Sequence, residues 1–149
     1  MIAVIQRVSR ASVEIDKEVY SKIGKGLLIL LGVRKGDSDE NSLTLAKKIL
    51  DLRIFPDKND KMNLSVKDIE GEVMVISQFT LCSDSGKSGN RPSFVMAELP
   101  EKAKFLYEFY LNEMRNYYAP EKIKSGIFAA KMKVDLTNDG PVTIILEKN

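Results

Sequence analysis

At 149 residues, 44% hydrophobic and 30% charged, with a formal net charge of +2, the chain reads as one globular domain spanning 1–149 with a sizeable core. It has no histidine and one cysteine, Cys82, which excludes Ser-His-Asp and Cys-His catalysis, the usual zinc and iron ligand sets and any intrachain disulfide. No long apolar segment opens the chain, and the longest apolar run, Leu27 to Leu31, is far too short to span a bilayer, so a cytoplasmic protein is expected, with a nucleic-acid partner permitted by the charge but not demanded.

Ile2 to Val8 and Ala11 to Ile15 read as strands, Asp16-Lys17-Glu18 as a turn, and Val19 to Ile23 as the returning arm of a hairpin. Gly24-Lys25-Gly26 turns the chain into Leu27 to Val33, whose unbroken apolar character is that of a strand buried on both faces. Asp37 and Glu40 have capping-box spacing. The pattern predicts a helix over Ser38 to Leu52, with Leu43, Ala46, Ile49 and Leu50 on one face. Arg53-Ile54-Phe55 reads as a short strand stopped by Pro56, Asp57 to Lys61 as a charged turn, and Met62-Asn63-Leu64 as the next extended stretch.

The rest of the chain is organised around Val73 to Leu81. Its first half is apolar and β-branched, while Ser77, Gln78 and Thr80 bring two hydroxyls and an amide to its end. Burying one such group without a partner costs about 1–3 kcal/mol. The three therefore form a hydrogen-bonded network or a pocket wall, or they mark a strand leaving the core for water. Cys82 to Pro92 is a long polar loop holding Lys87 and Arg91. It reads either as a surface connection or as a phosphate-contacting loop. Gly86-Lys87-Ser88 is no nucleotide-triphosphate loop, because Leu81 stands where the first glycine belongs and Pro92 precedes any helix.

Pro100 opens a second helix with Ala103, Leu106, Tyr110, Met114 and Tyr117 as its apolar stripe, ended by Ala119-Pro120. Phe128, Ala130, Met132, Val134 and Leu136 then alternate with Ala129, Lys131, Lys133, Asp135 and Thr137, a strand with one face in and one out. Asn138-Asp139-Gly140-Pro141 reads as a turn, and Val142 to Leu146 as the final strand. Strands, helix, strands, helix, strands, without regular alternation, predict an α+β fold with a mostly antiparallel sheet and two main helices.

Ser77-Gln78-Phe79-Thr80 and Asn138-Asp139-Gly140-Pro141-Val142-Thr143 together resemble the D-aminoacyl-tRNA deacylase family. The likeness runs through nearly the whole chain. Ile5-Gln6-Arg7-Val8, Gly24-Lys25-Gly26-Leu27, Leu30-Leu31-Gly32-Val33, Lys61-Met62-Asn63-Leu64, Arg91-Pro92-Ser93-Phe94 and Phe128-Ala129-Ala130-Lys131-Met132 are similar to the family in the same order.

The resemblance implies a barrel-like sheet and a homodimer that needs no metal or cofactor. It implies hydrolysis of the ester between a D-amino acid and the terminal ribose of tRNA, and clearance of misattached glycine. The pocket would lie at the dimer interface, entered from the other subunit by Gly140-Pro141 with its peptide bond in cis. Backbone carbonyls there could accept from the α-ammonium. Rigid backbone beside the α-carbon would exclude an L side chain while admitting hydrogen or a D side chain.

For the chemistry, either Thr80 is a nucleophile with no histidine to take its proton, or the ribose 2′-OH helps to activate water while backbone N–H groups near Phe79 stabilise the oxyanion. The second is preferred, with Ser77 and Gln78 lining the site and Thr80 structural or orienting. Phe128, Ala130 and Met132 either wall the adenosine side or belong to the core. Lys87 and Arg91 are expected to contact tRNA phosphates. There are two departures from the family pattern. Lys131 stands where the family is often acidic or apolar, and the alternation turns it away from the pocket. The loop before Arg91 offers Lys87 and Asn90 where arginine is commoner. Rival readings are a non-catalytic RNA-binding module on the same scaffold and a structural dimer with no ligand.

Overall fold

The computed structural model describes residues 1–84 and 89–149. Its frame is β1 (Ile2–Ile15), which meets three partners, all antiparallel. On one side β3 (Gly26–Gly32) takes Ile2 to Val8 and β2 (Glu18–Ile23) takes Ala11 to Ile15. On the other side β8 (Lys133–Glu147) follows nearly its whole length. The two strands expected for 2–8 and 11–15 are therefore one. Ser9 and Arg10 are exposed where the ladder to β8 is irregular, so the strand bends through them and does not end.

β6 (Glu72–Ser77) lies parallel to β3, and β7 (Ile123–Ser125) parallel to β6. Parallel neighbours need long crossovers. These contain α1 (Asp39–Leu50) and α2 (Pro100–Tyr117), which pack against each other. A bond from Ser21 Oγ to the Ser125 carbonyl, 2.8 Å, links β2 to β7 and draws the sheet into a nearly closed, barrel-like form. Alternate residues of the central strands feed two cores. Leu27, Ile29, Leu31, Val73 and Val75 face the helices, with Leu45, Ile49, Leu106 and Tyr110. Leu28, Met74 and Ile76 face the other way, with Val8, Ala11, Val13 and Ile23. No helix among the described residues is long and apolar enough to cross a membrane.

Several boundaries differ from expectation. The cap of α1 is Ser38, whose side chain accepts from the Asn41 N–H while the Asn41 side chain accepts from Ser38 N. Asp37 is buried and otherwise engaged: it takes the Met1 ammonium at 2.5 Å and the Arg34 N–H at 2.6 Å. Leu43 is half-buried, and Leu45 takes the deeper position. Tyr117 leaves the α2 stripe for solvent, where the Lys47 ammonium sits 4.3 Å from its ring centroid. Phe55–Pro56 forms β4, paired with β5 (Met62–Leu64) in a small hairpin.

β6 stops at Ser77, and Phe79–Cys82 is a 3₁₀ turn in place of the expected strand end. Residues 127–132 belong to no strand, with a turn at Phe128–Ala129, and β8 begins only at Lys133. β8 then continues through Asn138 to Pro141, so the expected hairpin is an interruption inside one strand.

Candidate active site

The site begins where β6 ends. Ser77 makes the last rung with Leu31, and Gln78 donates its N–H to the Leu31 carbonyl at 2.8 Å. On the opposite side β7 accompanies only Val73, Met74 and Val75. Ile76 and Ser77 thus lack a strand neighbour there, and a gap opens beside them. The chain leaves the sheet in the 3₁₀ turn, with Leu81 N donating to the Gln78 carbonyl and Ser83 N to that of Thr80. Ser77 and Gln78 are half-buried, while Phe79 and Thr80 are exposed. Both readings of the polar run hold in part, because the strand leaves the core and its end walls a cavity.

That cavity has a volume of about 510 Å³. Ser77, Gln78 and Phe79 form one side, Phe128, Ala129, Ala130 and Met132 another, and Pro100 and Ala103 reach it from the start of α2. The walls are largely apolar with a few polar groups, as small-ligand sites are. Thr80 is not part of the wall. Its hydroxyl accepts from Gln78 Nε2 at 2.5 Å. Among the described residues, Glu98 is the only ionisable residue of the lining. The Leu99 N–H, and then the Lys102 ammonium at 2.9 Å, hold its carboxyl below the usual range.

The 126–132 wall is built around a turn at Phe128–Ala129. Gly126 donates to the Val75 carbonyl at 3.2 Å, and Ala130 to that of Ile127 at 3.2 Å. A Cβ on Gly126 would stand 2.3 Å from Met132 Sδ, so a larger residue there would force the Met132 side chain to move out of its place in the wall. The Phe128 ring packs 5.8 Å from that of Tyr107, whose hydroxyl donates to the Val75 carbonyl at 2.9 Å. Burial pushes the Tyr107 phenol up, out of the range of neutral-pH chemistry. Because this is a turn, Ala129 and Ala130 both reach the wall, which strict alternation does not allow. Lys131 is exposed and outside the lining.

Gly140 and Pro141 lie elsewhere. Between the rungs Gln6–Thr143 and Val8–Asn138, β1 advances two residues and β8 five, so Asp139 to Val142 stand out as a bulge. The Gly140–Pro141 bond is cis, and both residues are exposed. Arg7, buried in β1, grips the bulge. Its Nε donates to the Asp139 carbonyl at 3.0 Å and lies 3.5 Å from the Asp139 carboxylate, while Nη1 donates to the Ile54 carbonyl at 2.7 Å. Gly140 has φ +125°, and a Cβ there would meet Arg7 Nη2 and Val142 Cγ2, each at 3.0 Å. Neither Gly140 nor Pro141 lines the cavity of its own chain.

Arg7 was not singled out from the sequence. Its signal is a cation within an apolar strand, which must find acceptors if buried. Arg91 is exposed and outside the lining, and Lys87 lies outside the described residues. Among the described residues, no group of three or more Asp, Glu and Cys side chains is placed to hold a metal ion.

A model of the family described as D-Tyr-tRNA(Tyr) deacylase matches residues 4–147. A D-aminoacyl-tRNA deacylase of Persephonella marina is 58% identical over 147 residues, covering 99% of this chain and 97% of that protein. One from Actinobacillus succinogenes is 50% identical over 147 residues, 99% of each. Among solved structures, the c-Myc DNA Unwinding Element Binding Protein superposes with a TM-score of 0.95 at 43% identity, covering 100% of this chain and 99% of that one. Another, described as "Structural Analysis of a probable eukaryotic D-amino acid tRNA deacylase", shares the fold at a TM-score of 0.81 and 14% identity over 97% of each chain. On the family match and the identities to its curated relatives, the chain belongs to the D-Tyr-tRNA(Tyr) deacylase family and is a hydrolase of that family.

Proposed function

We propose that the chain, acting as a single unit over 1–149, hydrolyses the ester joining a D-amino acid or glycine to the terminal ribose of tRNA. It does so as a homodimer in which Gly140 and Pro141 of each copy complete the cavity of the other. One observation carries this reading. The Gly140–Pro141 bulge is gripped by Arg7 and presented to solvent, yet it takes no part in its own chain's cavity. A two-fold partner would supply each cavity with such an element.

In that arrangement the terminal adenosine and its aminoacyl ester lie between Ser77–Phe79 and Phe128–Met132. The first N–H groups of a helical turn have no internal acceptor. Those of the turn opening at Phe79 can therefore face the carbonyl oxygen as it becomes an oxyanion. Among the described residues the lining holds no free general base, since Glu98 is engaged by Leu99 and Lys102. The ribose 2′-OH is then the nearest group able to help activate water, and the enzyme supplies position and electrostatics. Metal-independent turnover fits a chain without histidine. Backbone at Gly140 and Pro141 beside the α-carbon leaves no room for an L side chain, which is specificity by clash. Arg91 and Lys87 add phosphate contacts, and the substrate makes the cytoplasm the working compartment.

The test is deacylation of matched D-tyrosyl-, L-tyrosyl- and glycyl-tRNA by purified protein. Release of D-tyrosine and glycine with L-tyrosine retained is expected. A second reading, nucleic-acid binding without turnover, is favoured by the 43% identity to a protein named for binding a DNA unwinding element. Tight tRNA binding with no release of D-tyrosine would select it and overturn the first.

A further inference from the structure

We infer that Lys131 grips the phosphodiester that joins the terminal adenosine to the rest of the tRNA. This rests on the reading that the cavity takes the terminal nucleoside. Lys131 sits between Ala130 and Met132, both of which line the cavity, while its own side chain is exposed. The backbone leading into it is held by the bonds from Gly126 to Val75 and from Ala130 to Ile127, and by the Phe128 ring against Tyr107. The turn therefore fixes the origin of the lysine stem at the cavity rim.

The neighbouring ammonium groups are occupied. Lys102 is bound to Glu98 at 2.9 Å and Lys133 to Glu14 at 2.9 Å. Lys131 has no carboxylate within ion-pair distance among the described residues.

A nucleoside enclosed by these walls must leave its 5′ phosphate at the rim, because that is where the rest of the nucleic acid continues. Among the described residues the wall offers that phosphate no positive charge, and the one ionisable group among them, Glu98, is an anion. A phosphodiester there calls for a cation on the rim, and the ammonium of Lys131 meets it as a mobile point charge. The contact carries affinity for the nucleotide and takes no part in bond breaking.

The experiment compares D-tyrosyl esters of adenosine, of the dinucleotide cytidylyl-adenosine and of tRNA, with wild type, Lys131→Ala and Lys131→Arg. In the alanine variant, KM should rise about threefold to fivefold for the dinucleotide and tRNA esters, in the range of an exposed ion pair. KM for the adenosine ester, which has no phosphate, should stay unchanged, as should kcat for all three. Lys131→Arg should restore KM. The dependence of log KM on log salt for tRNA should flatten by about 0.7 in the alanine variant, one single-strand phosphate contact. Equal KM for wild type and Lys131→Ala on every ester would overturn the assignment. So would an equal loss on the adenosine ester, which would mean that the lysine shapes the wall. If wild type itself releases no D-tyrosine from tRNA, the proposed function fails first. If it turns over normally and Lys131→Ala matches it, only the phosphate contact fails.

Discussion

Replacing Gly140 with alanine tests the element on which selectivity is proposed to rest. Gly140 has φ +125°, a backbone region that L side chains rarely adopt. Holding a non-glycine residue there costs about 1–3 kcal/mol. The new methyl would also lie 3.0 Å from Arg7 Nη2 and from Val142 Cγ2. Arg7 cannot retreat freely, because it is buried and bonded to the Ile54 and Asp139 carbonyls. The bulge must absorb the change. If the bulge holds its shape, the melting temperature should drop by about 2–12 °C, taking 2–4 °C per kcal/mol for a chain of this size. If it relaxes, the fall in Tm shrinks and the backbone shifts instead, where a displacement of about 1 Å can cost about 100-fold in rate. Either way D-tyrosyl-tRNA deacylation should decline, and rejection of L-tyrosyl-tRNA should weaken wherever the bulge moves. The assay is kcat/KM on both substrates beside a thermal melt, with gel filtration to exclude unfolding. Wild-type Tm together with wild-type D-activity and full rejection of the L substrate would refute the reasoning and move the filter to the backbone of Ser77, Gln78 and Phe79.

Three further outcomes are expected. Thr80→Ala should keep deacylation within about tenfold, since Thr80 bonds Gln78 and stands outside the wall; a loss of about 10⁴-fold, or a trapped aminoacyl-Thr80, would restore a nucleophilic role. Glu98 is the one ionisable lining group among the described residues and its carboxyl lies below the ordinary 4.5, so it is charged throughout the neutral range. Its contribution to stability is present above that value and is lost as pH falls through the lowered one. The kcat profile should accordingly show no inflection from the enzyme between about pH 5.5 and 8, and a bell-shaped profile in that window would reveal an acid or base not in the cavity wall. Arg7→Lys keeps the charge but loses the fork that reaches both the Ile54 and Asp139 carbonyls. One carbonyl left without a donor costs about 1–3 kcal/mol, which a thermal melt would read as a fall of about 2–12 °C, accompanied by weaker D-deacylation.

How far the sequence reveals these features differs from element to element. Leu27 to Leu31 announces a strand buried on both faces because its alternate residues feed the two cores. The α2 stripe is legible as far as Met114 and fails at Tyr117, where the Lys47 ammonium offers the ring a partner outside the core. At α1, both Asp37 and Ser38 have the chemistry of a cap. The choice between them is made by Met1, whose ammonium claims Asp37 from 36 residues away. β7 has three residues and too little pattern to read. The alternation from Phe128 to Leu136 has the right phase for Val134 and Leu136, but it carries on through a turn whose geometry depends on Ala129 at φ +61°. Asn138 to Pro141 has the composition of a hairpin turn. It becomes a bulge because β1, 132 residues distant at the Arg7–Asp139 contact, keeps β8 paired on both sides of it. In the site, Ser77 and Gln78 stand out because they are polar at the end of an apolar strand. That Thr80 would spend its hydroxyl on Gln78 depends on the 3₁₀ turn, which the run of apolar and polar letters does not reveal.

The parts of the site share a cause. Within a regular ladder, every strand N–H and carbonyl is used by a neighbour, so nothing in the backbone is left for a ligand. A chain without histidine has few side chains able to move protons near neutrality, and its backbone becomes its main resource. That resource is released only where pairing stops. β7 ends after accompanying Val75, which leaves Ile76 and Ser77 open on one side. The 3₁₀ turn starting at Phe79 frees its first N–H groups. The five-against-two bulge in β8 lifts Asp139 to Val142 out of the ladder. Each interruption is held by side-chain contacts and not by strand pairing: Gly126 packed against Met132, Gln78 bonded to Thr80, Arg7 bonded to the Asp139 and Ile54 carbonyls. Local propensity reads these positions as strand ends and turns, and tertiary contacts make them a cavity wall and a presented bulge. Substitutions at the three anchors should therefore affect activity as well as stability, whereas changes within the paired stretches should act mainly through stability.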